Sequence, residues 1–84
     1  MTKLERPYLD QGAQMPTADR IQVLCHPATR QWSAHIDGSR LRDSYGRERT
    51  FQSAYAAFMA GWEALRRRGC AFDRSMEEAL AKYR

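Results

Sequence analysis

The sequence predicts an α+β domain: a three-stranded antiparallel meander packed on one long helix, with a short C-terminal helix. Three observations carry that expectation. Apolar and polar residues alternate through residues 20–26 and 31–36, the period of a half-buried strand. An Asp37-Gly38 dipeptide follows the second run and suits a type I′ hairpin turn, whose two central residues need positive φ. From Ser53 the period lengthens to that of a helix, with Phe58, Trp62 and Leu65 at i, i+4 and i+7.

Residues 1–19 show no sustained periodicity and contain Pro7, Gly12 and Pro16. They read as an extended N-terminal arm ahead of a single ββ(β)αα domain over 20–84. In the first strand Ile21, Val23 and Cys25 share a face, and Pro27 ends the run. "PATR" then makes a four-residue connection. Pairing Ile21 with Ile36 sets Val23 opposite Ala34 and Cys25 opposite Trp32; a slip of one residue would split these pairs between faces. A two-residue loop at Asp37-Gly38 sets His35 opposite Arg40, Ala34 opposite Leu41 and Ser33 opposite Arg42. Beyond Tyr45-Gly46, the charged "RERT" leads to Phe51. There the third strand resumes past a bulge at Gly46, or a short loop enters the helix.

Ser53 is the expected N-cap of the long helix, and Ala56, Ala57, Ala60 and Ala64 favour helix. Its end is marked by Arg66, Arg67 and Arg68, which suit the negative end of the helix dipole, and by Gly69. Leu65 and Cys70 are then placed as the apolar pair of a Schellman motif. The arginines themselves read as a solvated face. "SMEE" at 75–78 predicts a capping box for the second helix, with Met76, Ala79, Leu80 and Tyr83 as its apolar stripe. The long helix is expected on the Ile21/Val23/Trp32/Ile36 face. Trp32 is the expected anchor, mostly buried against Phe58 or Trp62, with Cys25 opposite it in the core.

At 84 residues the chain has room for one domain. A chain this short buries only about 60 % of its unfolded surface, so it needs good packing or a partner copy, and a homodimer is one way to supply the difference. Fourteen basic against ten acidic side chains give a net charge of +4, and twelve of the basic ones are Arg. Arg suits bidentate contacts to phosphate and carboxylate, although a GC-rich coding bias explains the excess as well. Cys25 and Cys70 are too few for a disulfide framework, no secretory signal is visible, and no run nears the ~20 apolar residues of a membrane span. The expectation is a cytoplasmic protein with reduced thiols and no membrane partner.

The sequence holds no G-x-S-x-G, P-loop or H-E-x-x-H motif, and His35 and Asp37 share a face with no nucleophile beside them. An enzyme is not expected. Cys25, His26, His35 and Cys70 could in principle ligate zinc, but their spacing fits no usual pattern, and neighbouring Cys25 and His26 leave opposite faces of a strand. No metal or other cofactor is expected. The outer face of the sheet is the remaining candidate. Its rows are Gln22–His35–Arg40, Leu24–Ser33–Arg42 and His26–Gln31–Ser44. Arg there can reach phosphate or the guanine edge, and Gln can pair with adenine. Any half-exposed sheet is polar outside, so a merely solvated face is the alternative.

The segment "RQWSAHIDGSRLRDSYGRERTFQSAYAAF" resembles the three-stranded DNA-binding domains of the AP2 type and of tyrosine-integrase amino-terminal domains. Trp32, Ala34, Ile36, Gly38, Arg40, Arg42, Thr50, Phe51 and Ala56-Ala57 stand where those families have a Trp-x-Ala-x-Ile-like strand, a Gly turn, a basic third strand and Thr-Phe before an Ala-rich helix. The resemblance implies DNA as the partner, met in its major groove by Gln22, Arg30, Gln31, Ser33, His35, Arg40 and Arg42. It covers about half the chain. The long "DSYGRERT" stretch departs from the pattern, and Asp37, Asp43 and Glu48 dilute the positive charge. In size and layout the chain is also similar to small phage anti-CRISPR proteins. That likeness implies the other function: docking on a host defence complex that itself binds nucleic acid.

Overall fold

The register that the sequence predicts is the one that forms. In the computed structural model, which describes residues 15–84, Ile21–His26 (β1) pairs antiparallel with Gln31–Ile36 (β2). Ile21 lies opposite Ile36, Val23 opposite Ala34 and Cys25 opposite Trp32. This alignment gathers the apolar residues on one face, which a slip of one residue would undo. The chain turns at Asp37 (φ 52°) and Gly38 (φ 86°), as a type I′ turn requires. Ser39–Arg40 (β3) follows, with Arg40 opposite His35.

The third strand then departs from expectation. The Leu41 N–H still donates to the Ala34 carbonyl at 3.0 Å. Arg42, however, bridges to Glu48 and not to Ser33. Residues 41–49 close a small hairpin of their own, with the Arg49 N–H donating to the Leu41 carbonyl at 2.9 Å and the Asp43 N–H to the Arg47 carbonyl at 2.8 Å. The edge of the sheet resumes at Phe51, which exchanges backbone hydrogen bonds of 2.7 and 2.8 Å with Trp32. A whole hairpin thus stands where a bulge at Gly46 was one of the two expectations.

Ala54–Arg67 (α1) begins at Ser53, whose hydroxyl accepts from the Ala56 N–H at 3.0 Å. It ends in the predicted Schellman motif. Gly69 has φ 88°, its N–H donates to the Arg66 carbonyl at 2.9 Å, and the Cys70 N–H donates to the Leu65 carbonyl at 3.1 Å.

Arg74–Tyr83 (α2) corrects the capping expectation: Asp73, not Ser75, is the N-cap, its carboxylate accepting from the Met76 N–H at 3.1 Å. The charged acceptor wins because it also takes the Thr17 N–H at 3.0 Å. Ser75 instead donates to Asp73 and accepts from the Ala18 N–H at 3.0 Å. Thr17–Arg20, where the extended arm was expected to end at residue 19 and the first strand to begin at Arg20, is a 3₁₀ turn with Thr17 buried. The rest of that arm, residues 1–14, lies outside the described residues.

The helix lies on β1 and β2 through small residues, with Ala57, Ala60 and Gly61 all buried. A Cβ on Gly61 would stand 2.7 Å from Ile21 Cγ2 and 3.2 Å from Ile36 Cδ1. Glycine is therefore what lets helix and sheet meet. The bulk of the core comes from Phe58 and Leu65 of α1 with Met76 and Leu80 of α2. Phe58 stacks on Tyr83 at 4.9 Å, and Trp62 meets the Phe72 ring edge-on at 5.3 Å. Burying Phe58, Leu65 and Met76 contributes roughly 1.5–3 kcal/mol each.

This crossing point corrects two core expectations. The helix presses on the Ile21/Ile36 end of the paired strands, and Cys25 and Trp32 stand at the other end. Cys25 is consequently exposed, and Trp32 is half-buried and outside the core cluster. Phe58 is the anchor in its place. Arg20 fastens the tight turn to the same region. Its guanidinium donates to both Asp37 oxygens at 3.0 and 2.7 Å and approaches Cys70 Sγ at 3.1 Å. The same guanidinium holds the Asp37 carboxyl below the usual carboxylate range.

Two outcomes follow from this packing. Alanine is about 1 kcal/mol better than glycine inside a helix. Gly61→Ala is nevertheless expected to lower stability by about 1 kcal/mol, because its methyl meets the stiff β-branched Ile21. Urea unfolding measures this, and a gain in stability would show slack at the crossing.

The second outcome concerns acid. Asp73 is held at about 2, first by the Ser75 hydroxyl and then by the Thr17 N–H. Its unfolded value is about 3.9, so its contribution is complete above that pH and is lost as pH falls from about 4 toward 2. Asp73→Asn is expected to flatten that part of the stability–pH curve, which thermal melts between pH 2 and 6 record.

Candidate functional site

Strand alternation gives the outer face its residues: Gln22, Leu24 and His26 from β1, Gln31, Ser33 and His35 from β2, and Arg40 from β3. Gln22, Gln31 and Arg40 are exposed, and His35 is half-buried in the expected Gln22–His35–Arg40 row. Arg30 is exposed at the end of the first turn, with φ 59°. Arg42 is exposed on the hairpin, donating from Nη1 to the Gly46 carbonyl at 2.9 Å. In the other two rows the Leu24–Ser33 and His26–Gln31 pairs form, but the third members do not join them, because the hairpin carries Arg42 and Ser44 off the sheet. Ser33 is the clear departure. It is 0 % exposed, and its Oγ has no hydrogen-bond partner among the described residues.

Glu48 reaches the same face as Ser33. Its carboxylate lies 3.5 Å from His26 Nε2 and 3.7 Å from Arg40 Nη1. His26 belongs to β1 and sits level with Gln31, whereas Arg40 belongs to β3 and sits level with His35. A carboxylate near both bridges the two outer strands, and in the register Ser33 stands on the middle strand between those two levels. Nothing in the strand periodicity signals this, since the position of Glu48 depends on how the hairpin folds.

The hairpin is held by Asp43, whose Oδ1 accepts from the Tyr45 N–H at 2.8 Å and the Arg47 N–H at 2.9 Å. The backbone N–H of Arg47 is the chief cause that lowers the Asp43 carboxyl below its ordinary range. Tyr45 projects from the tip, 80 % exposed, with the Arg47 guanidinium 5.2 Å from its ring. Arg49 lies over the Phe51 ring at 5.1 Å. Arg40 and Arg47 have carboxylate partners in Glu48 and Asp43. Among the described residues, Arg30, Arg42 and Arg49 have none within ion-pair distance. Tyr45, Arg47 and Arg49 were legible only as a charged stretch around an aromatic residue.

Other features lie elsewhere. Arg66 and Arg67 at the end of α1 both reach Glu63, at 3.2 and 3.9 Å, and Arg68 approaches Asp37 at 4.0 Å. An open groove of about 500 Å³ runs between Ala18, Ile21, Phe58, Ala79 and Tyr83, and the Ser75 hydroxyl at its margin is committed to Asp73 and Ala18. Among the described residues no three His, Cys, Asp or Glu side chains gather as metal ligands would. Nor is any described helix long and apolar enough to cross a membrane. No protein-family model, curated protein or solved structure matches the chain.

The backbone at Arg30 generates its own test. A left-handed conformation costs a non-glycine residue roughly 1–2 kcal/mol. Part of that is offset by the extra chain entropy that glycine loses on folding. Arg30→Gly is therefore expected to raise stability by about 0.5 kcal/mol in urea unfolding. A destabilised variant would show that the Arg30 side chain holds the turn.

Proposed function

We propose that the chain is a small non-catalytic binding protein that takes nucleic acid against the outer face of its sheet and the hairpin beside it. The observation that carries this reading is the set of exposed arginines, Arg30, Arg42 and Arg49, that have no carboxylate partner among the described residues and lie along the margin of that face. An arginine with no carboxylate beside it keeps its charge, and most of its planar donors, for phosphate. Tyr45 supports the reading, since an exposed ring backed by a guanidinium offers a base a surface to stack on. The likeness of the Trp32–Ile36 strand and its basic successor to AP2-type and integrase amino-terminal domains points the same way. DNA contact would then fall to Gln22, Gln31, Arg30, Arg40 and Arg42, with His35 at the border and Ser33 reached only if Glu48 leaves.

A second reading has observations of its own. Leu24 is 47 % exposed on the outer face, and Glu48 places a negative charge near its centre. Both suit a protein surface better than a polyphosphate one. The partner would then be a protein complex that itself binds nucleic acid, covered in the manner of an anti-CRISPR protein.

Fluorescence anisotropy with duplex DNA at two salt concentrations separates the readings. Nucleic-acid binding through arginine–phosphate contacts weakens steeply with salt, because condensed counterions are released. Arg42→Ala and Arg49→Ala are each expected to weaken binding, to lower the slope of log K against log salt by about 0.9, and to leave Tm unchanged. A flat titration with the intact protein would contradict the nucleic-acid reading and favour docking on a protein.

A further inference from the structure

We infer that His26, Ser33 and Arg40 form a phosphate site on the outer face, which Glu48 of the chain's own hairpin fills in the unbound protein. The site is placed by the geometry alone. Its occupant, a phosphodiester of nucleic acid, rests on the function proposed above. Three side-chain atoms, His26 Nε2, Ser33 Oγ and Glu48 Oε2, are buried without a hydrogen-bond partner among the described residues. They gather on one part of the face: the Glu48 carboxylate lies near both His26 and Arg40, and Ser33 stands on the middle strand between the levels of those two residues.

The carboxylate fits this place poorly. Charge-assisted N–H···O contacts settle at about 2.7–2.9 Å. Here the two ion pairs stand at 3.5 and 3.7 Å, and neither is a hydrogen bond. Glu48 extends from a hairpin whose described backbone bonds to the sheet lie at its base, at Leu41 and Phe51. A flat carboxylate also leaves the Ser33 hydroxyl without a partner. The two free oxygens of a phosphodiester carry more lone pairs, arranged tetrahedrally. They can accept from an imidazole N–H, a guanidinium N–H and a hydroxyl together.

Occupation by Glu48 is thus an internal competitor. A phosphate that enters must displace it, and the freed hairpin brings Arg42, Arg47 and Arg49 with it. The contact lowers affinity for scattered anions and reserves the face for a ligand that also engages the hairpin. Sequence position gives no hint of this, since Glu48 sits in the middle of "RERT" among positive charges.

Glu48→Gln tests the proposal, because it removes the competing charge and keeps the side chain's shape. At fixed salt, its affinity for duplex DNA is expected to rise on the order of fivefold over the parent chain. Glu63→Gln on α1 changes net charge equally but lies away from the face, and should give less than half that gain. A second readout needs no nucleic acid. Inorganic phosphate, against chloride at equal ionic strength, should raise the Tm of Glu48→Gln and shift the His26 Nε2 resonance, and Arg40→Ala in the same background should abolish both. Glu48→Asp, which withdraws the carboxylate by one methylene, should show a weaker phosphate response and serves if the Gln variant folds poorly. A phosphate response without DNA binding in any variant would uphold the site and overturn nucleic acid as its occupant. Absence of a phosphate response in both Glu48 variants, or an equal DNA gain from Glu63→Gln, would overturn the site.

Discussion

The approach of α1 to the Ile21–Ile36 pair at Gly61 is the constraint on which the other placements depend. A side chain at position 61 would hold the helix off the sheet, since the space where its first carbon would sit is already taken by Ile21 and Ile36. With the helix seated there, Phe58 and Leu65 are turned toward α2 and meet Met76 and Leu80. The Schellman motif then brings Cys70 within reach of Arg20, which in turn grips Asp37 at the tight turn. One close contact thus locates both helices and the β2–β3 turn. It also fixes which end of the sheet the helix leaves uncovered, and Cys25 and Trp32 are there.

With one face of the sheet given over to the core, the other is free for a partner, but it is not a bare array of polar residues. The hairpin at 41–49 leaves the third strand and returns Glu48 over the sheet. The result is a face with a negative centre and a positive margin: Glu48 in the middle, and Arg30, Arg42 and Arg49 around it. This distribution accounts for why a net charge of +4 says little about the outer face. What matters is which arginines are neutralised by internal partners. Those on the far end of α1 largely are; those beside the sheet are divided.

Strand register, the type I′ turn, the Ser53 cap and the Schellman motif were legible in the sequence because each depends on residues close together in the chain. Ile21 opposite Ile36 follows from a period of two, and Gly69 from its left-handed φ. Two of the errors lie where distant residues decide. Asp73 displaced Ser75 as N-cap because Thr17, more than fifty residues away, adds a donor to its carboxylate. Trp32 failed as the anchor because Gly61 sets the crossing at the opposite end of the strands. Of the candidate site, Gln22, Gln31, Arg30, Arg40 and Arg42 were found by alternation and resemblance, and they are exposed. Ser33 was assigned to an open face on the same logic, which could not foresee a carboxylate reaching across from Glu48.

The central claim is that the outer face and its hairpin, and not the arginine-rich end of α1, are what this domain presents to a partner. Chemical-shift mapping of the isotope-labelled chain during titration with duplex DNA tests it most directly. The account predicts perturbations at the amides of Gln22, Gln31 and the 41–49 hairpin and at the side chains of Arg30, Arg42 and Arg49, with the Phe58/Leu65/Met76 core unmoved. Perturbations centred on Arg66, Arg67 and Arg68, or none at DNA concentrations well above that of the protein, would contradict it.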